Sequence, residues 1–191
     1  MNAYAKKYFF AAVMAVFFCL TLALSGAFAQ STFNKSAAQI DSDANKTLQR
    51  FYKEVNGAKE LTSAAKALLV MSGVTKAGFV LGGTYGQGAL RIGGKTQGYY
   101  NLVSGSYGFT FGAEQMDIIL AFMTNEALKQ FKSTDGWEAG VTANVAVVDV
   151  GGGKRLDTTS LQDPVVAFVF DAKGLMVDVS LKGAKFTQIK N

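Results

Sequence analysis

The fold is decided by the stretch Lys76-Ala-Gly-Phe-Val-Leu-Gly-Gly-Thr-Tyr-Gly-Gln-Gly-Ala-Leu-Arg91. Its side chains alternate with the period of two that is typical of a strand, because bulky residues share one face and glycines share the other. Glycine along one face permits a sharp bend or the close approach of another element. The pattern predicts one strand over residues 77–92 in a tightly curled or barrel-like sheet, with its glycine face closely covered by a helix or a crossing strand. An open groove along that face is the alternative. The bulky residues are Phe79, Leu81 and Tyr85, and the glycines are Gly78, Gly82, Gly86 and Gly88.

Helices are predicted before this stretch. Apolar residues recur at helical spacing over residues 37–55, which predicts a helix that ends at Asn56-Gly57. A second helix is predicted over residues 58–66. The apolar positions of the first helix are Ala37, Ile40, Ala44, Leu48, Phe51 and Val55.

Strands dominate the rest of the chain, with one helix at residues 125–131 that Thr124 caps. Turns are predicted at residues 151–153, 171–174 and 182–185. Strands joined by such short turns pair mostly antiparallel. Helices come first along the chain and strands follow. This order predicts an α+β domain, with N-terminal helices packed on a strongly curved, mostly antiparallel, barrel-like sheet. The predicted strands cover residues 98–103, 107–111, 117–122, 141–150, 165–170, 175–181 and 186–189.

The N-terminus has the pattern of an export signal. Lys6 and Lys7 precede an apolar run over residues 8–24, and Ala27-Phe28-Ala29 fits a cleavage site. The pattern predicts that residues 1–29 are removed and that residues 30–191 form a single domain. An uncleaved membrane anchor is the alternative.

The composition favours neither catalysis nor a metal or cofactor site. The chain has no histidine, and its one cysteine, Cys19, lies in the apolar run. The glycines at 151–153 lack the rest of a phosphate loop, and residues 41–52 lack the glycine and glutamate of a calcium loop. We therefore predict no catalytic residue, metal or cofactor. A carboxylate pair of the glycosidase kind is a minor alternative, drawn from Asp149, Asp157, Asp163 and Asp171.

The charge is unevenly distributed. Residues 30–191 carry 17 basic and 14 acidic residues, a net charge of 17 − 14 = +3 that does not indicate a nucleic-acid partner. Residues 61–113 contain no acid. This segment could present one positive face, or its basic residues could be solvated on different faces. They are Lys66, Lys76, Arg91 and Lys95.

Trp137 is the only tryptophan, and it lies between Asp135 and Glu138. It is a candidate for an exposed aromatic anchor. The favoured alternative is a packing residue that closes the sheet.

Several stretches together resemble the SYLF domain, also called the Ysc-type actin-binding domain. The similarity runs in order over nearly all of residues 30–191. The matching stretches are residues 74–98, Gly136-Trp137-Glu138-Ala139-Gly140 with the run to Asp149, Asp163-Pro164 with Phe168-Val169-Phe170, and Lys173-Gly174-Leu175-Met176.

This resemblance implies a lipid-binding function. Eukaryotic members bind phosphoinositides, some bind actin filaments, and bacterial members consist of a signal peptide followed by the domain alone. The resemblance therefore implies an exported, non-catalytic module in the periplasm or outer envelope that binds a phospholipid or membrane surface. An envelope scaffold that binds an envelope protein is the alternative. The resemblance itself points to no particular ligand residues. The acid-free segment together with the resemblance makes Lys66, Lys76, Arg91 and Lys95 the residues expected to contact anionic head groups, with Trp137 as a candidate aromatic anchor.

Overall fold

The computed structural model describes residues 35–78, 81–107, 112–150, 162–173 and 180–190. The chain divides into two units, Met1–Ser36 and Ala37–Asn191, and the architecture below is that of the second unit. The predicted signal at residues 1–29 lies outside the described residues. None of the helices in the described ranges combines the length and the apolar content needed to cross a membrane.

The described residues form three helices and eight strands. The helices are α1 (Ala37–Glu54), α2 (Ala58–Ala64) and α3 (Asn125–Ser133). Thr124 caps α3 as predicted, since its hydroxyl oxygen accepts the Ala127 N–H at 3.1 Å. The strands are β1 (Ala67–Gly78), β2 (Leu81–Ile92), β3 (Lys95–Tyr107), β4 (Gly112–Phe122), β5 (Trp137–Glu138), β6 (Ala146–Asp149), β7 (Val165–Lys173) and β8 (Lys185–Gln188).

All eight strands belong to one sheet, in the order β5-β8-β3-β2-β1-β4-β7-β6. Neighbouring strands pair antiparallel, except for the parallel pair of β6 and β7. The sheet curls into a half-barrel, which confirms the predicted α+β class.

Both faces of the central strands are buried. One face, the α1 face, packs against α1 and α2, and the other, the Trp137 face, packs against α3 and the β5 region. This explains why residues 117–122 and 165–170 read as continuous apolar runs instead of alternating ones. The α1-face core includes Ile40, Ala44, Phe51, Val70, Ile119 and Phe168. The Trp137-face core includes Leu69, Met71, Leu90, Leu102, Ile118, Phe131, Trp137 and Phe186.

A β-bulge interrupts β1 at Gly73, whose φ is +63°. Met71 pairs with Ile118 and Val74 with Met116, so β1 uses one residue more than β4 between these pairs. The extra residue reverses the alternation of β1. Met71 before the bulge and Val74 after it therefore both lie in the Trp137-face core.

The glycine-rich stretch is a hairpin, so the prediction of one strand over residues 77–92 is wrong. β1 ends at Gly78, and β2 begins at Leu81. Gly78 pairs with Gly82, so the alternation of bulky residues and glycine runs on through the reversal of the chain. A period of two does not distinguish one long strand from two paired ones.

The glycine face of β2 is closely covered, but by the neighbouring strand β1. A Cβ atom on Gly86 would lie 2.8 Å from Cγ2 of Val74, and one on Gly88 would lie 2.3 Å from the carbonyl oxygen of Val70. The predicted close approach is therefore correct at these two glycines. The expected helix or crossing strand is wrong there, because the bulge brings β1 against them.

Other boundaries also differ from prediction. β3 is continuous over the strands predicted at 98–103 and at the start of 107–111, and β7 extends to Lys173 through the predicted turn. Only Ala146–Asp149 of the strand predicted at 141–150 is formed, because the chain turns at residues 140–142. Gly140 has a φ of +74° there, and its N–H donates to the Ala143 carbonyl at 2.8 Å. The turn at 151–153 and residues 175–179 lie outside the described residues.

We expect Gly88→Ala to lower the free energy of unfolding by about 1–3 kcal/mol, because the new methyl group has to displace the β1 backbone. Gly83→Ala is the matched control, since its Cβ would find its nearest neighbour, the Ser104 carbonyl oxygen, at 3.8 Å. Urea unfolding of both variants measures the difference. Equal stabilities would contradict the close approach of β1 to Gly88.

Candidate functional site

The predicted basic residues do not gather on one face. Lys66 precedes β1 and Lys95 begins β3, and both are exposed. They lie at the same end of the sheet, because Leu68 pairs with Arg91 and Ile92 pairs with Lys95. Lys76 lies ten residues along β1 from Lys66, roughly 30 Å away at 3.3 Å per residue. The single positive face made by all four residues is therefore not formed.

Arg91 holds α1 on the sheet. Its side chain is 12% exposed, and its Nη2 lies 3.1 Å from Oδ1 of Asp41. The same nitrogen donates to Oδ1 of Asn45 at 3.0 Å. The prediction that Arg91 contacts a head group needs correction, because its position opposite Leu68 turns its side chain toward α1, where its charge is paired.

Asp41 is the centre of this docking site. It accepts hydrogen bonds from the Thr96 hydroxyl at 2.6 Å and from the Tyr99 hydroxyl at 2.8 Å. Burial favours a raised pKa for Asp41, but these hydrogen bonds and the charge of Arg91 outweigh it and hold the pKa below its ordinary value. The site fixes the N-terminal half of α1 on β2 and β3.

Trp137 is a packing residue. It is 1% exposed, and its ring meets Phe131 edge-on at 5.4 Å between centroids. Phe186 lies at 5.7 Å in a similar orientation. The interpretation of Trp137 as an exposed anchor is therefore wrong, since β5 places the indole inside the Trp137-face core.

Asp117 holds the other half of α1, and the sequence did not single it out. Its carboxylate accepts the N–H of Gly73 in the β1 bulge at 2.8 Å. It also accepts the Thr47 hydroxyl at 3.3 Å and pairs with Arg50. The hydrogen bond to Asp117 raises the pKa of Arg50 above its ordinary value. The only signal in the sequence is an acid at the start of an apolar run.

A row of polar side chains crosses four strands on the Trp137 face. Ser104 pairs with Thr84, Thr84 with Lys76, and Lys76 with Glu114. Glu114 shares the face of Met116 and Ile118, since β4 alternates regularly there. Its side chain is buried at 2% exposure, and both carboxylate oxygens lack a hydrogen-bond partner among the residues that the structure describes. Sequence reasoning missed Glu114, although it is the first acid after the acid-free segment 61–113.

A cavity of about 400 Å³ lies beside β5 and β6. Asp163 is among its lining residues, whereas Asp149 and Asp171 are not. Asp171 lies 3.6 Å from Arg50 instead, and Asp157 is outside the described residues. The cavity therefore does not join these described acids into a carboxylate pair. Its lining is Ala139, Gly140, Asn144, Val145, Ala146, Val147, Asp163, Ser180, Leu181 and Lys182.

Comparison with known protein families finds a match for the C-terminal part of the chain. Residues 103–191 match the family model described as Ysc84, Las17-binding protein actin regulator. This segment is similar to the Ysc84-type domain. The match confirms the resemblance to the SYLF domain, which is a binding domain and not a known enzyme family. No curated protein matches the chain.

The matched segment contains Glu114, Trp137 and the cavity. It begins after Lys66, Lys76, Arg91 and Lys95, so the match says nothing about these four residues. Where the domain begins in the chain stays a prediction.

We expect Asp41→Asn to lower the free energy of unfolding at pH 7 by about 1 kcal/mol, since it removes charge-assisted hydrogen bonds from a partly exposed site. The folded pKa of Asp41 is depressed, so its stabilisation is complete above the unfolded pKa of about 3.9. It is lost as the pH falls through the folded pKa. Thermal unfolding of wild type and variant at pH 7 and pH 3 measures this change.

The exposed Asp135 provides the control, as Asp135→Asn. A stability difference between wild type and Asp41→Asn that is as large at pH 3 as at pH 7 would contradict the role of the Asp41 charge.

Proposed function

We propose that this chain is an exported, non-catalytic lipid-binding module that acts at the cell envelope and contacts anionic head groups. Three observations support the proposal. Residues 103–191 match a family of binding proteins, the first 29 residues have the pattern of a cleaved signal, and exposed lysines gather at one end of the sheet.

The lysine-bearing end of the sheet, here called the hairpin end, carries the proposal. The turn at Gly93 and Gly94 joins β2 to β3 there, with Lys95 after it and Lys66 beside it. The Ile189 N–H donates to the Tyr99 carbonyl at 2.8 Å, which brings the exposed Lys190 to the same end. Each lysine near an anionic surface contributes about 1 kcal/mol. Lys76 lies too far along β1 to reach a membrane that touches the hairpin end.

Vesicle flotation of the processed protein, secreted from bacteria, tests the proposal. We expect binding to phosphatidylcholine vesicles that contain phosphatidylglycerol, and loss of that binding at high salt because counterions screen exposed charges. Lys66→Gln with Lys95→Gln should weaken binding about thirtyfold, since two lysines contribute about 2 kcal/mol.

The matched control replaces two exposed lysines elsewhere, as Lys53→Gln with Lys132→Gln, and carries the same change of charge. Equal binding to vesicles with and without phosphatidylglycerol would contradict head-group contact. An equal loss in the control would contradict the role of the hairpin end. The mass of the secreted protein checks the predicted start at Gln30.

A protein-interaction role is the second candidate, since the family description names a Las17-binding protein. Val141 and Val147 are large apolar residues exposed beside the cavity, at 68% and 39%. A partner that covers them is expected to be recovered by cross-linking in intact cells through a residue beside Val141. Recovery of uncross-linked chain alone would contradict this candidate.

A further inference from the structure

Glu114 is a buried carboxylate on β4, opposite Lys76 on β1. It lies near the start of β4, 2% exposed, and within the described ranges neither of its oxygens accepts a hydrogen bond. Asp117, three residues later, has Gly73, Thr47 and Arg50 as partners. A buried carboxylate without a partner is unfavourable in the free protein, so a ligand that supplies N–H donors would remove the deficit.

The surroundings of Glu114 indicate which ligand fits. Lys76, Thr84 and Ser104 continue the row on the three adjacent strands. With strands about 4.8 Å apart, the row spans roughly 14 Å. It has an acceptor-only group at one end and N–H and O–H donors along the rest. This order of charges is complementary to a head group with an ammonium at one end and a phosphate beside it.

Glycines adjoin the row on the side away from the core. Gly78 pairs with Gly82 on one side and with Gly112 on the other. These positions are two residues beyond Lys76, Thr84 and Glu114, so they share the Trp137 face and place no side chain next to the row. On the opposite side of the row lie the apolar core residues Val74, Met116 and Leu102.

We propose that the row of Ser104, Thr84, Lys76 and Glu114 binds the head group of an aminophospholipid, with the Glu114 carboxylate accepting N–H bonds from its primary ammonium. The phosphate of the same head group lies beside Lys76, Thr84 and Ser104. The inference rests on the proposed function and names the lipid class. A quaternary ammonium has no N–H to donate, so the site selects ethanolamine over choline.

A metal ion fits the row less well. Calcium takes six to eight oxygen ligands, whereas Glu114 is the one carboxylate of the row. Across the part of the chain that the structure describes, no group of three or more acidic, histidine or cysteine side chains is placed to hold a metal.

Calorimetric titration of the processed protein tests the site with soluble probes. The probes are dihexanoyl phosphatidylethanolamine, dihexanoyl phosphatidylcholine and O-phosphoethanolamine, each below any micelle concentration. We expect wild type to bind the ethanolamine lipid about tenfold more tightly than the choline lipid, since a hydrogen bond to a charged group is lost. O-Phosphoethanolamine should bind more weakly than the lipid. Equal affinity for it would overturn the lipid assignment, and equal affinity for the two lipids would overturn the site.

Glu114→Gln should abolish the preference for ethanolamine, and Glu126→Gln, an exposed acid on α3, should retain it. Glu114→Gln should also raise the melting temperature without ligand by about 2–4 °C, because a neutral amide is less costly to bury than a carboxylate without a hydrogen bond. A lower melting temperature with an unchanged lipid preference would show a structural role and overturn the proposal. The preference of wild type for the ethanolamine lipid over the choline lipid is measured without any variant. It therefore tests the proposal even if Glu114→Gln does not fold.

Flotation separates the two proposals. If wild type and Glu114→Gln float equally on anionic vesicles but wild type shows no preference for ethanolamine, the ammonium site is wrong and the membrane function stands. If wild type does not float on any vesicle, the membrane function is wrong whatever the titration shows.

Discussion

The hydrogen bond from the Gly73 N–H to Asp117 is the contact on which the rest of the structure depends. It stabilises the bulge that reverses the alternation of β1, at a glycine whose φ of +63° few other residues adopt. Because of that reversal, Val74 and Lys76 face the same side as Leu69 and Met71. The same carboxylate binds Thr47 and Arg50, so one acid joins the bulge to the helix above it.

The local elements could largely be predicted from the sequence. The helix predicted over residues 37–55 is Ala37–Glu54 in the structure. It could be predicted because the spacing of apolar residues in an amphipathic helix is visible within one short stretch of sequence. The strands β4 and β7 lack such a period, since burial on both faces removes the alternation of apolar and polar residues. The hairpin after Gly78 was missed for the opposite reason. There the alternation continues through the turn, so the pattern conceals the reversal of the chain.

The candidate site could not be predicted to the same extent, because its contacts join distant parts of the chain. Arg91 lies in a segment without acids, yet its partner Asp41 lies 50 residues earlier in the chain. Asp117 lies 67 residues from Arg50. Glu114 could not be recognised as a candidate from the sequence, because only the pairing of β4 with β1 places it opposite Lys76. For Trp137 the sequence favoured a packing residue, but its partner Phe186 on β8 could not be named from the sequence.

The burial of both sheet faces also governs when the protein can fold during synthesis. Phe51 on α1 packs against Phe168 and Phe170 with ring centroids 5.4 and 5.3 Å apart, and these partners are translated more than a hundred residues later. Loop closure over such a separation has to precede the gain from packing, which makes folding slow. The part of α1 around Phe51 therefore gains its aromatic partners only after β7 has been made. Completion of the α1-face core is thus tied to the C-terminal third of the chain.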